Sequence, residues 1–178
     1  MLPRASGGRS VAFPAMGGEI TVRALTPDDW EQTRAVRLSA LADAPDAFVT
    51  TLAEARGQAE AQWRAMLTPE RGVRALAEYD GLPAGVVGAF DHGGVGEIIW
   101  MWVAPDHRGR GVGDALVAFC VDWCGRQALD CVLWVVDGND AAQRLYERCG
   151  FVPTGSRQPV PGNGARMEFQ MAYRPAGS

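Results

Sequence analysis

Hydrophobic and polar residues along this chain fall into short alternating runs and into longer stretches with helical spacing. Residues 19–25 alternate in the way expected of a half-buried strand. Asp80-Gly81 separates two apolar runs and favours the tight turn of a hairpin, and Gly150 is expected to end a helix. The patterns predict strands over 19–25, 73–79, 83–90, 97–103 and 131–136, from 151, and over 166–173, with helices to about 41, over 52–66, from 112 and over 140–149.

A glycine-spaced loop at 108–113, with the sequence RGRGVG, joins the strand 97–103 to the helix that follows. The first backbone N–H groups of a helix lack partners inside it, and the helix dipole adds about half a positive charge at that end. Glycines also let a phosphate approach the backbone closely. The loop therefore predicts a site for a diphosphate-bearing ligand, although the hexapeptide alone also fits a glycine-rich connection without a ligand.

Two common nucleotide motifs do not match this loop. A P-loop needs a lysine followed by Ser or Thr, and the chain contains no lysine. A dinucleotide fingerprint has G-x-G-x-x-G near the first strand–helix turn, whereas the spacing here is G-x-G-x-G past the middle of the chain. Binding of a nucleotide alone through either of these motifs is therefore disfavoured.

Composition narrows the classes of function further. The chain has 178 residues, of which 47% are hydrophobic, and this is enough for one domain with a real core. A net charge of −4 argues against a nucleic-acid partner. All 17 Lys and Arg residues are arginine, which excludes Schiff-base chemistry on an enzyme lysine. Only two histidines are present, so no histidine metal cluster and no metal is expected.

The rest of the chain predicts a cytoplasmic protein without a membrane span. No apolar stretch is long enough to cross a bilayer, and the cysteines do not form C-x-x-C pairs, so free thiols in a reducing compartment are expected. Residues 1–17 lack periodicity and predict a disordered tail before a domain over 18–174 and a short tail over 175–178, with Met16 as an alternative start. The four cysteines are Cys120, Cys124, Cys131 and Cys149.

Two motifs in order resemble the GNAT superfamily of CoA-dependent N-acyltransferases. Residues 103–116 follow V-x-P-x-x-R-G-x-G-x-G-x-x-L, and the strand 132–136 is followed by D-G-N-D and a helix that carries Ala142, Leu145 and Tyr146. The resemblance covers about 18–174. It implies an α/β (α+β) GNAT fold: a central mixed, mostly antiparallel sheet of about six to seven strands, flanked by about four helices and splayed between the fourth and fifth strands.

The resemblance also implies how acetyl-CoA would bind. The donor would lie between the splayed strands, with its diphosphate on the loop backbone and its thioester carbonyl near the backbone of Val103. Asn139 would cap its helix, bind the pantetheine arm or do both, and the two loop arginines would either bind phosphate or face solvent. The implied cofactor-binding residues are Met101, Trp102, Val103, Arg108, Gly109, Arg110, Gly111, Val112, Gly113, Asp114, Asn139 and Tyr146.

Tyr146 and Glu97 are the candidate catalytic residues. By resemblance Tyr146 is the general acid that returns a proton to the departing sulfur, and the alternative is an ordinary buried tyrosine. Glu97 is the candidate base, and the alternative is a solvated strand-edge residue with water as the base. Because Glu97 lies six residues before Val103, an even offset predicts that both face the same side of the strand. Trp100 and Trp102 are then expected on the opposite side, as core or as groove wall.

The segments 46–51 and 159–164 are expected to select the acceptor, with Asp46, Phe48 and Trp100 as substrate-binding candidates. The predicted activity is transfer of an acetyl group from acetyl-CoA to a primary amine, of a small molecule rather than a protein, by direct attack in a ternary complex. The alternatives are a protein N-terminal acetyltransferase and a non-catalytic acyl-CoA-binding module. No nucleic acid, membrane or metal is expected as a partner, and a homodimer stays open.

Overall fold

The structure is a computed structural model that describes residues 10–15, 17–68, 70 and 72–175. Its centre is one eight-stranded sheet with the order β1-β2-β3-β4-β5-β6-β8-β7. The strands are Ser10–Ala15 (β1), Gly18–Ala24 (β2), Gly72–Tyr79 (β3), Leu82–His92 (β4), Val95–Val103 (β5), Asp130–Val136 (β6), Phe151–Val160 (β7) and Asn163–Tyr173 (β8). The helices described are Trp30–Asp43 (α1), Leu52–Gly57 (α2), Glu60–Met66 (α3), Val112–Arg126 (α4) and Asp140–Arg148 (α5).

This architecture confirms the predicted mixed α/β fold, with slightly more elements than expected. β5 and β6 are parallel, and the other neighbouring strands in the described sheet are antiparallel. α4 packs on one face of the sheet over the larger core cluster. α1 to α3 cover the other face, where two smaller clusters lie. None of the helices described is long and apolar enough to cross a membrane.

The extra strand corrects the prediction of a disordered tail over 1–17. β1 pairs with β2 along its whole length, and the side chain of Phe13 packs against the main core. Val11 and Phe13 are half-buried whereas Ser10 and Ala12 are exposed, so a period-two pattern was present in a glycine- and proline-rich context. Residues 1–9 and Met16 lie outside the described part of the chain.

The single helix predicted over 52–66 is wrong, because the chain is extended between α2 and α3. Gln58 adopts φ −68° and ψ 133°, which ends α2 after Gly57. The side chain of Gln62 then accepts a hydrogen bond from the backbone N–H of Ala59 at 2.7 Å, which starts α3. The break lets both helices contribute to a small core under α1, made of Leu41, Ala55 and Trp63.

The turn and cap signals in the sequence are confirmed. Asp80 and Gly81 have φ values of 49° and 78°, the left-handed pair that a two-residue hairpin turn requires. Gly150 has φ 89° and lies two residues after the end of α5, as a helix-terminating glycine does. The predicted free thiols are also confirmed: the four cysteines are unpaired, and three of them are buried in the main core.

The sheet opens between β5 and β6, the fourth and fifth of the strands predicted from sequence. Their pairing runs only from Val95 opposite Asp130 to Ile98 opposite Leu133. Beyond that point the two strands diverge, which leaves the second half of β5 without a neighbour on this side. The predicted splay is therefore confirmed.

A β-bulge in β5 changes which residues share a face. The register with β4 shifts by one residue around Trp100, which has φ 62°. Before the bulge Ile98 packs into the core beside α4, and after it Val103 does so too, although the two residues are an odd number of positions apart, five. The expectation that Glu97 and Val103 share a face is therefore wrong. Glu97 lies on the α1 side, together with Trp100 and Trp102.

Candidate active site

A groove of about 1070 Å³ lies where β5 and β6 diverge. Its walls are β5 from Val95 to Met101, the end of β6, the start of α5, the turn that follows α1 and part of the β7–β8 hairpin. The groove is lined by apolar strand residues at its centre and by charged side chains around them. The charged and titratable lining residues are Arg37, Asp43, His92, Glu97, Asp137, Tyr146, Arg166 and Glu168.

Some main-chain groups of β5 point into the opening between β5 and β6. The N–H of Ala104 donates to the carbonyl oxygen of Ala84 in β4 at 2.9 Å. Because successive residues of a strand point their N–H groups to opposite neighbours, those of Val103 and Met101 point toward the opening. The N–H of Trp102 points back toward β4. Trp102 therefore differs from Met101 and Val103, whose N–H groups point into the opening. Two free N–H groups can polarise the carbonyl of a thioester placed in the opening.

The glycine loop is open to solvent beside this groove. Residues 108–111 are exposed, and Gly109 and Gly111 have φ values of 73° and 90°, which favour glycine. α4 begins directly after Gly111, and no side chain caps it. The first backbone N–H groups of a helix have no partner within it. The loop therefore presents main-chain donors and the positive end of a 15-residue helix to an anion.

Gly113 and Asp114 hold α5 against this loop. A Cβ at Gly113 would lie 3.1 Å from Cδ2 of Leu145, so a side chain there would push the two helices apart. Asp114 accepts two hydrogen bonds from the guanidinium of Arg148, at 2.7 and 3.1 Å. Both residues were predicted to contact the cofactor, and in the structure they also position the helix that carries Asn139 and Tyr146.

The two loop arginines contact protein groups. Arg108 donates its Nε–H to the carbonyl oxygen of Val103 at 3.0 Å and forms an ion pair with Asp43. The same carboxylate accepts a hydrogen bond from the indole of Trp102 at 2.9 Å, and this bond, followed by those of Arg108, lowers the pKa of Asp43. Arg108 thus ties the end of β5 to α1. Arg110 lies over the ring of Tyr79, 5.2 Å from its centroid.

Tyr146 is buried in α5 and lines the groove. Its ring lies 5.9 Å from that of Phe151. Burial raises the pKa of Tyr146 well above its usual value, and the nearby thiols of Cys120 and Cys149 raise it further. The hydroxyl is therefore protonated at neutral pH and available as a proton donor.

Asn139 lines the same groove two helical turns before Tyr146. Its side-chain oxygen accepts a hydrogen bond from the backbone N–H of Ala142 at 3.2 Å, which makes it the cap of α5. The capping function is thus present in the structure, and the residue still faces the groove.

Glu97 lines the groove with its side chain 20% exposed. Its Oε2 lies 3.2 Å from Nδ1 of His92, the last residue of β4. A carboxylate at this position can accept a proton, and the imidazole beside it restricts its orientation. Phe48 and Trp100, the other acceptor candidates, also line the groove, whereas the side chain of Asp46 lies outside the described part of the chain.

The family comparison agrees with this geometry. Residues 33–151 match the model of the family described as "Acetyltransferase (GNAT) family". The chain belongs to the GNAT acetyltransferase family.

Relatives of this GNAT acetyltransferase include the mycothiol acetyltransferase of Renibacterium salmoninarum, 28% identical over 81% of this chain and 44% of that protein. The chain thus spans less than half the length of that curated relative. Among solved structures, the GNAT domain of S. lividans PAT matches with a TM-score of 0.71 at 17% identity, over 92% of this chain and 96% of that one. Mycobacterium smegmatis RimJ in complex with CoA-disulfide matches with a TM-score of 0.70 at 20% identity, over 92% and 85%. These structural likenesses concern the fold.

Arg37 is a charged residue of the groove in this GNAT acetyltransferase that was not among the candidates predicted from the sequence. It occupies a buried position of α1, between the rings of Phe48 and Trp100. A signal was present, because Arg37 falls at helical spacing among the buried residues Val36, Ala40 and Leu41. An arginine within the apolar stripe of a helix indicates a buried cation.

A second missed residue is Glu168 of β8, which is buried and lines the groove. Its Oε1 accepts a hydrogen bond from the amide of Gln158 at 2.7 Å. Among the described residues, no group of three or more His, Cys, Asp and Glu side chains is placed to hold a metal ion.

Proposed function

We propose that this chain transfers an acetyl group from acetyl-CoA to the primary amine of a small molecule by direct attack in a ternary complex. The observation that carries the proposal is the opening between β5 and β6. It lies beside an uncapped helix N-terminus and contains both a protonated tyrosine and a carboxylate. Acetyl-CoA would place its diphosphate on the loop 108–113 and its thioester in the opening.

The reaction would proceed at the β5 main chain. Glu97, directly or through water, accepts a proton from the ammonium form of the acceptor, and the neutral nitrogen attacks the thioester carbonyl carbon. The N–H groups of Met101 and Val103 stabilise the oxygen as it becomes negative. The C–S bond then breaks, Tyr146 donates its proton to the departing sulfur, and the proton that leaves the amide nitrogen restores the tyrosine through solvent. Glu97 releases its proton to solvent, so that the net products are the acetylated amine, the free CoA thiol and one proton.

Direct attack is favoured over an acyl-enzyme because no cysteine lines the groove within the described residues. Burial raises the pKa of Cys120 strongly, and it raises that of Cys149 to about 11. A protonated thiol is a weak nucleophile. Cys149 lies at the C-terminal end of α5, where its Sγ lies 3.7 Å from Oδ1 of Asp114.

A small-molecule acceptor is supported by the shape of the site and by one relative. The groove is lined by side chains from several elements, and this suits a compact amine held on all sides. The relative from Renibacterium salmoninarum carries the name of a small molecule, mycothiol. We do not extend that substrate to this chain.

The experiment combines ligand binding with turnover. Acetyl-CoA should raise the melting temperature of the full chain, and a panel of small primary amines should release free CoA thiol with formation of acetylated amine. Initial rates with the best amine should give intersecting double-reciprocal plots. Stabilisation by acetyl-CoA with no thiol release from any small amine, peptide N-terminus or protein would contradict the proposal and favour an acyl-CoA-binding module.

A further inference from the structure

The guanidinium of Arg37 is sandwiched between two aromatic rings that line the groove. Its central carbon lies 4.2 Å from the centroid of Phe48 and 4.4 Å from that of Trp100. Only 4% of the residue is exposed. Because two rings lie this close to its central carbon, little of the guanidinium is open to a ligand.

Arg37 has no counter-charge in the described part of the chain. Its NH1 atom is buried without a hydrogen-bond partner, and no carboxylate lies within ion-pair distance. Buried cations are normally paired, because an unpaired charge loses its hydration without compensation.

A second, half-buried arginine increases the positive charge at this place. The guanidinium carbon of Arg74 lies 4.8 Å from the centroid of Trp100, and its Nε is also buried without a partner. Burial, followed by repulsion from Arg74, lowers the pKa of Arg37 to about 10, so it still carries its charge at neutral pH. Two cations without an anion make this the place in the groove where a negative group would bind.

The position of Arg37 relates this charge to the transfer reaction. Trp100 precedes Met101, whose N–H points into the opening between β5 and β6, and Glu97 lies three residues earlier on the same side of β5. At a strand rise of about 3.3 Å per residue, Glu97 and Trp100 are about 10 Å apart along the strand. An acceptor that spans this distance would meet a carboxylate at one end and a cation at the other.

We propose that Arg37 binds a carboxylate of the acceptor, so that the preferred acceptors are amines that also carry a carboxylate, such as amino acids. The inference rests on the proposed function for the amine end of the substrate. A carboxylate is planar, as the guanidinium edge is, and pairs with it through two parallel hydrogen bonds.

The first test compares acceptors that differ in one group. Amino acids and the matching amino acid amides are assayed with acetyl-CoA on the wild-type chain. The acid of each pair should have kcat/KM about 10- to 100-fold above that of its amide. Equal values, or a preference for the amides, would overturn the proposal.

The second test uses Arg37→Met, with Arg34→Met as the matched control one helical turn earlier on α1. Arg37→Met should abolish the preference for acids, so that the acid-to-amide ratio of kcat/KM falls to about one, and Arg34→Met should keep the wild-type ratio. A preference that survives Arg37→Met would assign Arg37 a packing function and contradict the proposal. If Arg37→Met fails to fold, Arg37→Lys is assayed instead: it should keep part of the preference, and an unchanged acid-to-amide ratio would count against bidentate binding.

A third measurement does not depend on transfer. 3-Phenylpropionate should bind the acetyl-CoA-loaded wild-type chain by calorimetry at least about tenfold more tightly than 3-phenylpropionamide, and Arg37→Met should remove the difference. Carboxylate binding without acetylation of any amine would refute the proposed activity but keep the anion site. Acetylation of amines with no carboxylate discrimination would keep the activity and refute the anion site.

Discussion

Nδ1 of His92 lies 3.2 Å from Oε2 of Glu97, which joins the end of β4 to the groove wall of β5. The imidazole fixes the carboxylate that would accept the proton of the amine. Glu97→Gln should lower kcat/KM for the amine by about 100-fold, because the amide cannot take up the proton. Steady-state rates with the best amine measure this loss.

Two comparisons separate catalysis from positioning at this pair. Glu78→Gln, on β3 and away from the groove, should leave the rates unchanged. His92→Gln should lower kcat less than Glu97→Gln does, and the double variant should lose little more than Glu97→Gln alone. Additive losses in the double variant would show that His92 acts independently of Glu97.

Tyr146→Phe removes the proposed proton donor and keeps the buried ring. We expect kcat to fall by about 100-fold while the KM for acetyl-CoA changes by less than about twofold. Tyr173→Phe is the matched control, because the ring of Tyr173 also contacts that of Phe151, with centroids 5.6 Å apart, and Tyr173 does not line the groove. Full activity in Tyr146→Phe would eliminate this residue as the acid.

The raised pKa of Tyr146 predicts the shape of the pH profile. A general acid works in its protonated form, and burial, followed by the neighbouring thiols of Cys120 and Cys149, keeps Tyr146 protonated to higher pH than a free tyrosine. At saturating amine, kcat should therefore not decline between neutral pH and about pH 10. A decline centred below about pH 9 in the wild type, absent from Tyr146→Phe, would mean that the tyrosine ionises earlier than its burial allows.

Gly111→Ala tests the conformation of the anion-binding loop. Gly111 has φ 90°, and its Cβ would meet only an ordinary contact with Ile20 at 3.7 Å, so the cost is backbone strain of about 1–2 kcal/mol. Gly125→Ala, in the same helix with open space around its Cβ, should instead stabilise by up to about 1 kcal/mol. Denaturant unfolding measures both free energies of unfolding.

The same pair of variants tests ligand binding at the loop. Calorimetry should show weaker acetyl-CoA binding for Gly111→Ala and unchanged binding for Gly125→Ala, since only the former alters the direction of the loop N–H groups. Equal affinities in the two variants would place the diphosphate elsewhere.

The elements with strong local signals were predictable from the sequence. The Asp80-Gly81 hairpin, the glycine loop before α4 and the terminating Gly150 each depend on residues whose backbone preferences act locally. Features set by tertiary contacts were not predictable in the same way. β1 forms a strand because it pairs with β2. The break between α2 and α3 lets Ala55 and Trp63 pack against α1.

The residues of the candidate site also divide into those that the sequence indicated and those that depend on tertiary contacts. The resemblance to the family indicated Tyr146, Asn139 and Glu97, and all three line one groove. The bulge at Trp100 reversed the predicted faces of β5, because a one-residue shift moves every later side chain to the other side of the sheet. Arg37 could not be predicted as a site residue from the sequence, because the rings of Phe48 and Trp100 contact it only in the folded chain.

Single-turnover transfer with acetyl-CoA labelled in the acetyl group tests the central claim most directly. The reaction is quenched at successive times, and the label is followed by mass spectrometry in acetyl-CoA, protein and amine. The account predicts that label leaves acetyl-CoA and appears on the amine in equal amount, with no labelled protein at any time. Label that passes through the protein before it reaches the amine, or CoA released without acetylated amine, would contradict it.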